Sequence, residues 1–158
     1  MKNLVICILG LFIMLTIASC NSPSINQRKE SHDQAKEILR CLDEDDAEGL
    51  KILFCEKVAS SHDLDKEIAA AMKFYEGKIV SFGNIVVGGG DSMRDGEFVD
   101  IHLGYSIREI ETDADTMYEI VTHSYLVYKK DPTCIGMTYL AIYNTETKEN
   151  IEIGEFVK

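Results

Sequence analysis

The chain has 158 residues, of which 16 are Lys or Arg and 27 are Asp or Glu, for a formal net charge of −11. So acidic a balance speaks against nucleic acid and against anionic lipid surfaces as partners, since both require a basic patch. The length suits one ordinary domain rather than two.

The first segment has the three parts of a secretory signal: Lys2, an apolar run from Leu4 to Ile17 diluted by Gly10 and Thr16, and small residues before a cut. The run is shorter than the roughly 20 apolar residues that span a bilayer, and no basic cluster follows as a stop, so removal is expected rather than retention. Ile17-Ala18-Ser19-Cys20 resembles the lipobox of bacterial prolipoproteins. The resemblance implies that residues 1–19 are removed and that Cys20 becomes residue one, carrying a thioether-linked diacylglycerol. It places the chain outside the cytoplasm, anchored to the cell membrane as a lipoprotein; the alternative is a plain signal peptide with an incidental cysteine. Two or three acyl chains hold far more firmly than one, at roughly 0.8 kcal/mol per buried methylene. Cleavage takes one base and no acid, leaving 139 residues at −12.

Asn21 to Ser31 is polar apart from one Ile and cannot bury enough surface to order itself, so residues 20–32 are expected to form the lipidated cysteine and a flexible tether. Eleven such residues reach on the order of 20 Å. The folded domain is expected over 33–158.

Ala35, Ile38, Leu39 and Leu42 recur at helical spacing behind Asp33, which predicts a first helix from about 33 to 43 capped by Asp33. Asp45-Asp46-Ala47-Glu48 resembles a capping box, and Ala47, Leu50, Leu53 and Phe54 extend a second helix to about Val58. Asp63 caps a third, with Leu64, Ile68, Met72 and Tyr75 on one face and Gly77 at its left-handed end.

From Lys78 onward, branched and aromatic residues predict five strands, at about 78–88, 96–110, 115–129, 134–144 and 150–157. Val99, Ile101, Leu103, Tyr105 and Ile107 alternate with Asp100, His102, Gly104, Ser106 and Arg108, so the second strand should have one buried and one wetter face. Reversals at Asp95-Gly96, Asp113-Ala114-Asp115, Asp131-Pro132 and Asn144-Thr145-Glu146 are short and make the strands antiparallel neighbours. The fold class is α+β, with three N-terminal helices packed on a curved antiparallel sheet of four to five strands.

Ala35-Lys36-Glu37-Ile38-Leu39 and Asp46-Ala47-Glu48-Gly49-Leu50-Lys51-Ile52-Leu53-Phe54 resemble the opening of nuclear transport factor 2-like, cystatin-like cone domains. Tyr75-Glu76-Gly77-Lys78-Ile79-Val80-Ser81 and Val87-Gly88-Gly89-Gly90-Asp91-Ser92 are similar to a family of uncharacterised Firmicute lipoproteins with that fold. The resemblance covers roughly residues 33–143. It implies a pocket between the helices and the concave sheet, which different members of the superfamily use for isomerisation, dehydration, ligand binding or dimerisation. It brings no catalytic residues with it.

Cys41, Cys55 and Cys134 remain beyond Cys20, an odd number without the spacing of a zinc or redox site. They read as buried small hydrophobes, with a Cys41–Cys55 bridge open only if the first two helices bring the pair together. No pattern calls for a metal or cofactor. Gly88, Gly89 and Gly90 lack the following Lys-Ser/Thr of a phosphate-binding loop and leave a strand, so a hairpin or bulge at the mouth of a pocket is expected there.

Asp100 and His102 share a strand face, and His123 on the next strand can lie across from them. A carboxylate beside imidazole is the minimum for acid/base work, although the same face reads as the solvated side of the sheet. His32 and His62 sit near helix starts. Seven tyrosines and no tryptophan make up the aromatic set with phenylalanine, and Tyr75 and Tyr105 are the candidates for a ligand pocket.

The expected function is a membrane-tethered binding or interaction module, with a small molecule or a protein as partner. The alternative is an isomerase or dehydratase using Asp100 with a histidine. Pairing of two copies through the open sheet face is a further option.

Overall fold

The computed structural model describes residues 25–157. The signal segment, Cys20 and the start of the tether lie outside them. Among the described residues, four helices precede the sheet: α1 (Gln27–Asp43), α2 (Ala47–Ile52), α3 (Glu56–Ser61) and α4 (Leu64–Phe74). Six strands follow: β1 (Ile79–Ser81), β2 (Ile85–Arg94), β3 (Glu97–Thr112), β4 (Met117–Tyr128), β5 (Gly136–Asn144) and β6 (Asn150–Gly154).

The first helix starts well before Asp33, which corrects the tether. Asn26 is the N-cap, its side chain accepting from Lys29 N, while Asp33 lies inside the helix and pairs with Lys29 at 2.6 Å. Composition alone would leave 27–32 in solution, but Ser31 is fully buried and Gln27 Nε2 donates to Asp91 Oδ2 on β2. Contacts with the sheet extend the helix where local propensity does not.

The second predicted helix is two short ones. Between them the backbone turns to the sheet: Cys55 N donates to Met137 O and Met137 N to Leu53 O, a bridge that consumes groups a continuous helix would need. Its cap is Asp46, which accepts from Gly49 N at 2.8 Å, one residue on from the expected box. Asp63 caps α4 as expected, accepting from Lys66 N. Gly77 does adopt a positive φ of 85°, but it stands beyond an extended Tyr75 and so does not end the helix.

All pairings in the sheet are antiparallel, in the order β1-β3-β4-β5-β6, with β2 also on β3. The sheet is not closed into a barrel. The predicted first strand is divided into β1 and β2 because β3 breaks register between Ile107 and Ile110, around Glu109 with φ 55°. Gly83 N and Asn84 O bond Arg108 across that break. Bulges of this kind bend a strand. The β2–β3 turn is the expected Asp95-Gly96, with both residues at positive φ.

One face of the sheet meets the helices. Ile107, Ile120 and Ile142 stand in register across β3, β4 and β5, all fully buried, and Leu140 and Ile153 continue the layer. Against them pack Ile38, Leu42, Leu50, Val58 and Ile68 from the helices. Each such side chain contributes about 1.5–3 kcal/mol on burial. Tyr118 ties the end of α4 to the sheet: its phenol donates to Phe74 O and accepts from Glu76 N.

The three described cysteines are free thiols and buried, so the Cys41–Cys55 bridge is absent. Burial above all pushes the Cys41 thiol up to about 11. Among the described residues no helix is long and apolar enough to cross a membrane.

Candidate functional site

Strand alternation places Asp100, His102, Gly104, Ser106 and Arg108 on the side of β3 away from the helices. In register beside them stand Tyr125, His123 and Val121 of β4, opposite His102, Gly104 and Ser106. On the other flank stand Gly90, Gly88 and Val86 of β2. The tail after β6 folds onto this same face. Phe156 lies 4.3 Å from the His123 ring, and Tyr125 Oη donates to Val157 O at 3.2 Å. On this face lies a groove of about 720 Å³ whose lining includes His102, His123, Tyr125, Phe156, Arg108 and Glu119, while Asp100 stands beside His102 outside that lining.

This groove lies on the face opposite the helices, whereas the pocket was expected between helices and sheet. Between helices and sheet, the described residues pack as the isoleucine and leucine layer. Two candidates go with that interior. Tyr105 turns its ring to the helices, where its hydroxyl donates to Gln34 Oε1 at 3.0 Å, although its position on β3 borders the groove. Tyr75 packs on Tyr118 at 4.8 Å, with its hydroxyl buried and without a hydrogen-bond partner among the described residues, and does not line the groove. Burial pushes both phenols above the usual tyrosine range.

The glycines are neither loop nor bulge. Gly88, Gly89 and Gly90 pair regularly with Gly104, Leu103 and His102, and the register slips only later, between Ser92 and Met93. Their use is steric. A Cβ on Gly90 would stand 3.1 Å from His102 Cε1, so the missing side chain leaves room for that ring.

Asp100, His102 and His123 do come together. Asp100 Oδ1 accepts from His102 Nδ1 at 2.8 Å, and the two imidazoles stack at 5.8 Å with 28° between planes. Gly104, directly opposite His123, offers no side chain to separate them. Thr138 Oγ1 lies 2.9 Å from His123 Nδ1 and 3.3 Å from His123 O, which fixes the ring against β5. His102, donating from Nδ1 to a carboxylate, presents Nε2 as an acceptor when neutral. His123 is 5% exposed, and burial first, then the neighbouring His102, hold its pKa below the ordinary value against the opposing pull of Asp100.

An aromatic wall continues from there. Tyr125 lies edge-on to His123 at 5.0 Å and stacks on Tyr128 at 4.3 Å; Tyr139 stands 6.2 Å from Phe156. At the far end, Arg108 Nε lies 3.4 Å from Glu119 Oε1. The spacing of strand residues puts Arg108 about 20 Å from His102. Of the other histidines, His62 bonds Glu67 at 2.9 Å, and Glu67 in turn accepts from Gly154 N, a structural tie between α4 and β6.

Phe156 and Val157 are what sequence reasoning missed. They read as the end of a fifth strand, but β6 stops at Gly154, whose φ of 72° turns the chain onto the open face. A glycine three residues before the predicted strand end was the available signal. Among the described residues no group of three or more His, Cys, Asp or Glu is placed to hold a metal ion.

A family model described as a domain of unknown function, DUF5104, matches residues 37–149, and the chain belongs to that family. No curated protein matches the sequence.

Proposed function

We propose that this DUF5104 chain is an extracytoplasmic lipoprotein, anchored through acylated Cys20, whose nuclear transport factor 2-like domain is a non-catalytic binding module with its ligand seat in the open-face groove. The lipobox at Ile17 to Cys20 supports the anchor, and the order of helices followed by an antiparallel sheet supports the finer fold assignment. The groove carries the binding reading: about 720 Å³ is the size of a small-molecule site, with aromatic walls and a few placed polar groups.

Gly104 supplies the test. A Cβ there meets nothing nearer than Thr122 O at 3.9 Å, so Gly104→Leu fills the groove without forcing the backbone. Native mass spectrometry of the protein purified under mild conditions should show a retained small molecule that the variant loses. A bare protein that instead forms dimers, which Gly104→Leu dissociates, would assign the face to a second copy.

The Asp100–His102 pair favours one other reading, an isomerase or dehydratase in which His102 Nε2 takes a proton while Asp100 steadies the ring. Under that reading the retained molecule is turned over, and Asp100→Asn slows turnover while leaving binding near normal. Unchanged recovery of the molecule after incubation would remove the enzyme reading.

A further inference from the structure

The charges in the groove are unevenly placed. Among the described residues that line it, the one guanidinium is that of Arg108, paired with Glu119 at the far end. The near end holds His102 and His123 and is bordered by the Asp100 carboxylate, whose Oδ1 accepts from His102 Nδ1. Around them are aromatic rings: Phe156, 56% exposed, over His123, with Tyr125 stacked on Tyr128 beside it. Ring faces attract cations, most strongly where water is displaced. The acidic field of the whole chain adds to this by concentrating cations and repelling anions.

We propose that the groove takes an organic ammonium ion carried on an apolar body, its charged head beside His102 and His123 at the end bordered by Asp100 and its body along Val121 and Val86 towards Ser106. This rests on the binding reading above and names its ligand class. An ammonium group brings N–H donors and opposite charge to the end that Asp100 borders, whereas a carboxylate of the same shape would meet Asp100 with like charge and nothing to donate.

Three probes of one shape separate the possibilities: phenethylammonium, phenethyl alcohol and phenylacetate, each titrated calorimetrically into the full chain in a non-ionic detergent at pH 7.5 and fixed salt. The cation should bind at least tenfold more tightly than the alcohol, with phenylacetate weakest. Asp100→Asn, which keeps an oxygen for His102, should remove most of that preference and leave the alcohol unchanged. If Asp100→Asn does not fold, the ranking of the three probes on the unaltered protein decides alone. Alcohol or phenylacetate binding as well as the cation, with binding lost in Gly104→Leu, would overturn the ammonium assignment and leave the binding module standing. No binding by any of the three up to millimolar concentration would overturn both.

Discussion

Burial and the facing imidazole of His102 keep His123 neutral under conditions where a histidine of the unfolded chain takes up a proton. The sign follows from linkage. Between the depressed folded value and the ordinary value near 6.5, the unfolded state binds more protons, so stability rises with pH in that window. The contribution is complete above about pH 6.5 and is lost as pH falls through the folded value. Urea unfolding of the full chain should therefore weaken from pH 7 towards pH 5, and His123→Asn should flatten that slope. The carboxylates of Asp33, Glu37, Asp46, Glu97 and Asp131 are all held below their usual range, chiefly by hydrogen bonds from Lys29, Arg40, Arg40, Lys129 and Lys57 in turn. Their loss comes below about pH 4 and is separable. An unchanged slope in the variant would show that His123 titrates alike in both states. The grouping of Asp100, His102 and His123 was legible because period-two alternation and a short hairpin determine which side chains share a face. What was not legible is that this face, rather than the helix side, carries the groove, since that depends on how the helices fill the interior.

Strand β2 shows how an element can be right in type and wrong in purpose. Gly89 has φ 131°, and a Cβ there would come within 2.4 Å of His102 O, a backbone atom fixed by the β2–β3 pairing. Gly89→Ala should destabilise by about 1–3 kcal/mol, through strain in the glycine-favoured region plus displacement of β2. Gly104→Ala on the neighbouring strand, with only ordinary contact at its Cβ, is the control and should change stability little. Equal urea midpoints for the two variants would contradict this account. The same limit of local reading applies to the helices. Hydrophobic spacing located the apolar stripes of α1 and α4, because burial of one face is what those residues do, but of the stripe expected on α2 only Leu50 is buried within that helix. It could not see that residues 27–32 are made helical by docking on the sheet, nor that Leu53 to Cys55 lend their backbone to Met137. Both depend on partners more than 60 residues away.

On the scale of the whole molecule, the early start of α1 changes where the domain would sit if Cys20 carries lipid. With the helix capped at Asn26, six residues connect it to Cys20, and even fully extended these span only about 20 Å. An acidic domain on so short a tether lies within reach of the head groups and is repelled by anionic ones, so it contributes little membrane affinity of its own. Retention at the membrane would then rest on the acyl chains, whose buried methylenes contribute about 0.8 kcal/mol each. Cys20→Ala should accordingly shift the protein from the membrane pellet to the soluble fraction and abolish labelling by a fatty-acid analogue. Its groove is unaffected by the change, so phenethylammonium should bind the released chain as it binds the anchored one. Persistence of the alanine variant in the pellet, still resistant to high salt, would locate the attachment elsewhere in the chain and remove the lipoprotein reading without touching the groove.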